Sequence, residues 1–392
     1  ALSSLFETAA TEERALLLDA LAPIPLRRRG ASIEENKALQ AAVDAALASK
    51  AGVSDLQEVR LRAAYLGDDD RFAKALDAYA DSVADAGALS RAAVLALQRN
   101  TPEPGMAAPN WGTIRAAAEK VASKAPASAP AALLAGLALH GAGEKDSALK
   151  RLEDALGGLE KEPPSAALAS AEFLTPLARA FADAGREEAL VKTCRLFVAT
   201  VNRTPRPWRL LRGAQDPLGI CLGSLVGKAR YVEAFQVIKE LDRQKITYLH
   251  SLRPALRSSE QAFVKAAKDH VLKNSKDAAD FRKLAALVQL LLGRSEEAVE
   301  LLEKACAMAP GDVELMYEFA TVCVGSRDSE RAVKAFEDVL AGLEKTPTEK
   351  VDRNTVLFQL AQLHGRAARH DKAVAALDKL DLDAPNVAYQ LV

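Results

Sequence analysis

The chain has 392 residues, 49% of them hydrophobic and 27% charged, with 52 Lys and Arg against 53 Asp and Glu. That balance excludes a disordered polar chain, and a net charge of −1 leaves no basic excess of the kind that holds a nucleic-acid backbone. Aromatic residues make up only 5% while Ala, Leu, Glu, Lys and Arg recur throughout, a composition that favours helices over strands.

The N-terminal stretch Ala1 to Ala22 carries Glu7, Glu12, Glu13 and Asp19 among its apolar residues, which argues against an intact signal peptide. No run of about 18 apolar residues occurs, so no membrane insertion is expected. The chain begins at Ala1 without Met, which fits a region excised from a longer precursor. Arg27-Arg28-Arg29, beside Pro23 and Pro25, reads as an exposed turn between helices. Leu66-Gly-Asp-Asp-Asp-Arg-Phe72 has a turn-plus-helix shape, with Asp68, Asp69 and Asp70 placed to cap amides and favour the helix dipole. Trp111 to Lys124, followed by Pro126, reads as a second helix. Trp111 and Trp208 are either packed between helices or recognition anchors, packing being the commoner role.

Further along, one motif recurs: a turn, a charged pair or triplet, then Ala opening a helix. It stands at Gly143 to Ala148, Gly185 to Ala189, Lys228 to Ala234, Gly293 to Ala298, Gly325 to Ala332 and Ala368 to Ala373. Ala298 and Ala332 are 34 residues apart, and Ala332 and Ala373 are 41 apart, with the extra seven in polar Thr346–Asp352. Ala234 and Ala298 are 64 apart, close to two periods, so an irregular pair near Thr247–Arg257 and Ser259–Lys273 fills the gap. Joints at Thr101–Pro109, Pro163-Pro164 and Thr204–Pro207 are boundary candidates.

A period of 34 with these residues resembles the tetratricopeptide repeat, a pair of antiparallel helices. Residues 279–312 carry the pattern as Gly293, Ala298, Leu302, Ala305 and Pro310. The next unit offers Ala332, Phe336 and Val339, with Arg327 in place of the turn Gly, and the last offers Ala373, Leu377, Leu380 and Pro385. Gly136 and Leu139 stand at matching offsets before Ala148. The resemblance is clearest over 279–385 and looser over 129–245. It implies an all-α fold: a right-handed superhelical solenoid of about eight or nine antiparallel helical hairpins. The expected regions are degenerate hairpins over 1–127, irregular repeats over 128–275 and regular repeats over 276–392, with a final helix broken off at Tyr389–Val392.

The resemblance also implies where a partner would lie, since the first helix of each hairpin lines a groove. The groove positions are Asp280, Lys283, Leu287, Leu290 and Leu291, then Glu314, Tyr317, Thr321 and Val324, then Thr355, Phe358, Gln362 and Arg366. The expected binding set is Lys283, Leu287, Leu290, Glu314, Tyr317, Thr321, Phe358, Gln362 and Arg366. Members that hold chaperone tails grip a C-terminal carboxylate with Lys, Asn and Arg. Here Leu287 stands where Asn is required, and Glu314 and Glu318 oppose an anionic peptide.

Catalytic patterns fail. Gly223-Ser-Leu-Val-Gly227-Lys228 has three intervening residues where a phosphate-binding loop needs four, and Ala229 follows the Lys where Ser or Thr should bind magnesium. The histidines at 140, 250, 270, 364 and 370 form no HxxxH pair, and Cys194, Cys221, Cys306 and Cys323 show no CxxC spacing, so neither a metal site nor a disulfide framework is expected. Buried reduced thiols in a cytoplasmic protein are the simpler reading. The expectation is a non-catalytic scaffold without cofactor that binds a protein or peptide and no nucleic acid. Its alternatives are the targeting or regulatory arm of a larger enzyme or signalling protein, or an RNA-binding helical solenoid.

Overall fold

The computed structural model describes Leu61, Ala64 and residues 69–99, 110–161, 171–204, 216–242, 253–256, 258–326 and 328–381. Arg27–Arg29, the Pro-rich joints apart from Thr204, Trp208, Arg327, Pro385 and Tyr389–Val392 lie outside these residues. All regular structure described is helical. The chain divides into two compact units, Ala1–Pro205 with Gln215–Cys221 and Arg206–Ala214 with Leu222–Val392.

The first unit contains α1 (Asp69–Ser82), α2 (Ala86–Arg99), α3 (Arg115–Lys124), α4 (Ala129–Gly141), α5 (Lys145–Lys161), α6 (Ala171–Asp183) and α7 (Glu187–Arg203). Helix α8 (Pro217–Gly227) spans the division. The second unit continues with α9 (Tyr231–Lys239), α10 (Arg253–Leu256), α11 (Glu260–Asn274) and α12 (Ala278–Leu287), which ends in a π turn at Val288–Leu292. Then come α13 (Ser295–Met308), α14 (Val313–Gly325), α15 (Ser329–Lys345), α16 (Arg353–Arg366) and α17 (His370–Leu377). Consecutive helices pack as hairpins: α4 on α5, α6 on α7, α12 on α13, α14 on α15 and α16 on α17. In the second unit each hairpin also packs on the next, α13 against α14 and α15 against α16.

The helix starts follow two rules. First helices begin with a side-chain cap: Ser128 accepts from the amide of Ala131, Asp277 from Ala279, Asp312 from Leu315, and Asp352 from Asn354 and Thr355. Such a cap satisfies amides that have no partner within the helix. Most second helices instead start straight from the turn, with Arg186, Arg230, Arg294 and Arg369 as uncapped leading residues. The turn itself does the work. Gly143, Gly185, Ala229, Gly293 and Ala368 all have left-handed backbones, φ 55° to 86°. At four of them the next amide reaches back five residues, from Glu144 to Leu139, Arg186 to Phe181, Arg230 to Leu225 and Arg369 to His364, at 2.8–3.0 Å. This is the Schellman closure of a helix C-terminus, which needs one left-handed residue. The sequence motif is therefore a turn chemistry, and two of its five left-handed places are filled by alanine.

Core packing explains the small residues. Helix α4 is buried along Pro130–Leu139, its whole middle, between α2, α3 and α5. A Cβ on Gly136 would meet Leu152 at 2.5 Å from Cδ2 and 3.2 Å from its backbone nitrogen, so hydrogen is all that fits where α4 crosses α5. Trp111 lies in the turn before α3 with its ring base against Gly141. It is half-buried and packs on the end of α4. Asp69 begins α1 but its carboxylate takes a 2.6 Å bond from Arg99, whose guanidinium lies 4.7 Å from the Phe72 ring. Gly223 lies inside α8, where a Cβ would stand 3.5 Å from the carbonyl of Ala255, so Gly223–Gly227 is helix and Lys228 opens the turn that follows it. Signature residues Ala298, Leu302, Ala305, Ala332, Phe336 and Val339 are all buried, at 3% exposure or less.

Candidate functional site

The first helices α12, α14 and α16 place the expected groove residues in three different states. On α12 they are largely taken up by the chain itself. The Lys239 ammonium at the end of α9 holds Asp280 at 3.1 Å, and Lys283 donates to the carbonyl of Leu241. Leu287 is 0% exposed and Leu291 5%, so neither offers a surface to a partner. For Leu287 this corrects the sequence expectation. Thr321 occupies the equivalent place on α14 and Gln362 on α16, and both are exposed. An isobutyl group gains about 1.5–3 kcal/mol by leaving water, whereas a hydroxyl or amide gains nothing there, so the same repeat position turns inward when it is Leu. Leu290 falls within the π turn and is half-buried.

The α14 and α16 surfaces remain open. Tyr317 and Phe358 hold equivalent positions and are both half-buried. The Tyr317 ring is braced edge-on against Phe336 of α15, centroids 6.1 Å apart at 67°. Such a contact fixes an aromatic side chain before any partner arrives. Thr321 spends its hydroxyl on the carbonyl of Tyr317 at 2.8 Å, and Thr355 spends its own on Asp352 at 2.6 Å. Among the described residues Gln362 and Arg366 make no polar contact, and both are exposed. They are the free hydrogen-bonding groups of this surface.

Charge on the surface differs from the formal reading of the sequence. Glu314 is paired with Lys350 at 2.9 Å, and Glu318 with Arg282, which also reaches Asp312 at 3.7 Å. Both partners of the Arg282–Glu318 pair are 18% exposed. Burial pushes the Arg282 guanidinium below its ordinary value despite its acids. The two glutamates expected to repel an anion are thus each paired with a cation, while Arg366 has no acidic partner among the described residues. Sequence reasoning missed Lys350 because it sits in the lengthened loop before α16. It missed Arg282 because that position faces along the stack and not into the groove. Leu287 still stands in the place of the asparagine that a carboxylate clamp needs.

The four cysteines are free thiols. Burial raises Cys306 and Cys323 to about 11. Among the described residues no group of three His, Cys, Asp or Glu is placed to hold a metal ion. A cavity of about 550 Å³ in the first unit lies between α5 and the start of α7, lined by Glu153, Glu160, Arg186, Glu188 and Lys192 among others. Arg186 stands 3.8 Å from Glu153 across it, and Lys192 pairs with Glu188 at 3.3 Å along α7.

The tetratricopeptide repeat family model matches residues 284–312, which run from within α12 through its π turn and α13 to the Asp312 cap of α14. Over these residues the chain is similar to a tetratricopeptide repeat. The repeat holds the Gly293 turn, Ala298, Leu302 and Ala305, so the residues that carried the resemblance are those that build the α12–α13 hairpin. No curated protein sequence matches the chain. Among solved structures, pilF of Pseudomonas aeruginosa is similar at 19% identity, covering 67% of this chain and 95% of its own, with a TM-score of 0.26. The MamA protein is similar at 16% identity, covering 57% and 96%, with a TM-score of 0.22. The TPR2AB domain of yeast Sti1, solved with pHSP90, is similar at 16% identity, covering 67% and 92%, with a TM-score of 0.22. Among the described residues no helix is long and apolar enough to cross a membrane.

Proposed function

We propose that the chain is a protein-interaction scaffold whose binding surface is the face of α14 and α16 carrying Tyr317, Thr321, Phe358, Gln362 and Arg366. The carrying observation is the contrast among the three first helices. On α12 the equivalent positions are buried or bonded to the α9 end, while on α14 and α16 they are open, aromatic and supplied with free donors. Two half-buried rings, that of Tyr317 braced on Phe336, offer apolar contact, and the exposed guanidinium of Arg366 favours an acidic group on the partner. The partner that fits is an extended peptide or an amphipathic helix with apolar side chains and a carboxylate toward Arg366. Lys283, Leu290 and Glu314 border this surface in the proposal, and Leu287 has no part in it. Tetratricopeptide repeats are interaction modules and not catalytic ones, and the site has no nucleophile–base arrangement to set against that.

The test is recovery of partners on the intact chain against Tyr317→Ala, Phe358→Ala and Arg366→Glu, with Glu300→Ala on the opposite helix α13 as control. Each of the three should weaken the same partner at least about tenfold, as truncation of a central anchor does. Undiminished recovery by all three, or equal loss with Glu300→Ala, would place the binding surface elsewhere.

A further inference from the structure

His364 lies in the last turn of α16, 5% exposed, and its Nδ1 has no hydrogen-bond partner among the described residues. Its own carbonyl accepts the 2.8 Å bond from Arg369 that closes the turn into α17. The charged groups around it come from every element packed there: Lys372 from α17, Arg369 from the turn, and Glu337 from α15. Two are cations and one is an acid. Burial first, then Lys372 and Arg369, hold the imidazole below the ordinary histidine value, against the pull of Glu337. Helix α17 buries little beyond it, and its far end is held to the start of α16 by Arg353, which donates to the Lys379 carbonyl at 3.2 Å, and by Asn354, which exchanges two bonds with the Asp381 backbone at 3.0 and 3.2 Å. Ala376 is the one fully buried residue of α17, while Val374 and Leu377 are 55% and 37% exposed.

We propose that His364 is an acid-sensitive latch, whose protonation frees α17 from α16 while the other hairpins of the unit stay folded. A neutral imidazole fills the site as a flat, largely apolar group. An imidazolium there is a covered charge that feels two cations and one acid, and the cheapest escape is to open the turn that covers it. The sign follows from linkage: the folded site binds its proton more weakly than the open one, so the stability it gives is present above the ordinary histidine value and is lost as pH falls through it. Acid then loosens the support of α16, the helix that carries Phe358, Gln362 and Arg366. That last consequence rests on the binding surface proposed above, whereas the latch itself does not.

Hydrogen exchange on the full chain tests it. Between pH 7.5 and 5.5, protection of amides in 373–380 should fall about tenfold after correction for intrinsic exchange, with α12 and α13 unchanged. His364→Leu should abolish that dependence and His370→Gln should keep it. Persistence of the effect in His364→Leu, its loss in His370→Gln, or an equal fall in α12 and α13 would overturn the latch. Should His364→Leu fold poorly, proton NMR of the unaltered chain decides: the His364 ring must titrate below about 6.5, and a midpoint at or above that value refutes it.

Discussion

The left-handed residue found in five of the helix turns is the smallest unit on which the fold depends. At Ala229 (φ 56°) and Ala368 (φ 55°) a methyl group sits where only glycine is unstrained. Replacing either by Gly should raise stability by about 0.5–1 kcal/mol, the relief of strain exceeding the entropy returned to the unfolded chain. Denaturant unfolding reads this directly. Gly136 shows the opposite case, because it needs no special φ and is required for space. Gly136→Ala forces the Leu152 side chain and backbone away from α4 and should cost about 1–3 kcal/mol by the same measurement, with no change in helix content. A glycine in the sequence thus has two unrelated meanings, and the turn meaning is readable from its neighbours. The close-approach meaning at Gly136 agrees with the repeat offset from Ala148, but the clash partner is visible only once α5 is in place.

Between elements, charged groups tie neighbouring hairpins more than they decorate surfaces. Lys268 of α11 bonds Glu297 of α13, Arg331 of α15 holds Glu303 of α13 at 2.6 Å, and Arg369 reaches Glu330 of α15. The Lys268 hydrogen bond leads the causes that hold the Glu297 carboxyl below its ordinary value. A depressed carboxylate contributes stability that is present above the ordinary carboxylate range and lost as pH falls through and below it. Lys268→Met should therefore flatten the acid limb of the unfolding curve of the second unit. At neutral pH it should cost less than about 1 kcal/mol, since both groups are partly exposed. Acid titration followed by exchange in α11 and α13 measures both. These ties were illegible beforehand because each joins residues about 30 to 40 positions apart, and a charge pattern along one helix says nothing of which neighbour it meets.

Across each unit, stability is a sum of hairpins and the contacts between adjacent ones, so damage should spread by neighbourhood and not everywhere at once. Leu302, 3% exposed in the tetratricopeptide repeat, is a position to test this. Leu302→Ala should cost about 2–5 kcal/mol and lower exchange protection first in α12 to α14, with α16 following only at higher denaturant. A single cooperative loss over the whole second unit would contradict nearest-neighbour behaviour. Much at this scale was legible in the sequence: the all-helical class, the hairpins over 129–161, 171–204 and 278–377, and the repeat at 284–312. The period, the turn residue and the small residues are local requirements of a helix pair, and they leave a mark in any chain that makes one. What tertiary structure alone decided is which faces stay open. Leu287 went into the core, the end of α9 filled the α12 positions, and Glu314 and Glu318 were paired with Lys350 and Arg282. The physical reason is that periodicity fixes a side chain's direction from its own helix, while its exposure and its net charge depend on what the rest of the chain brings alongside.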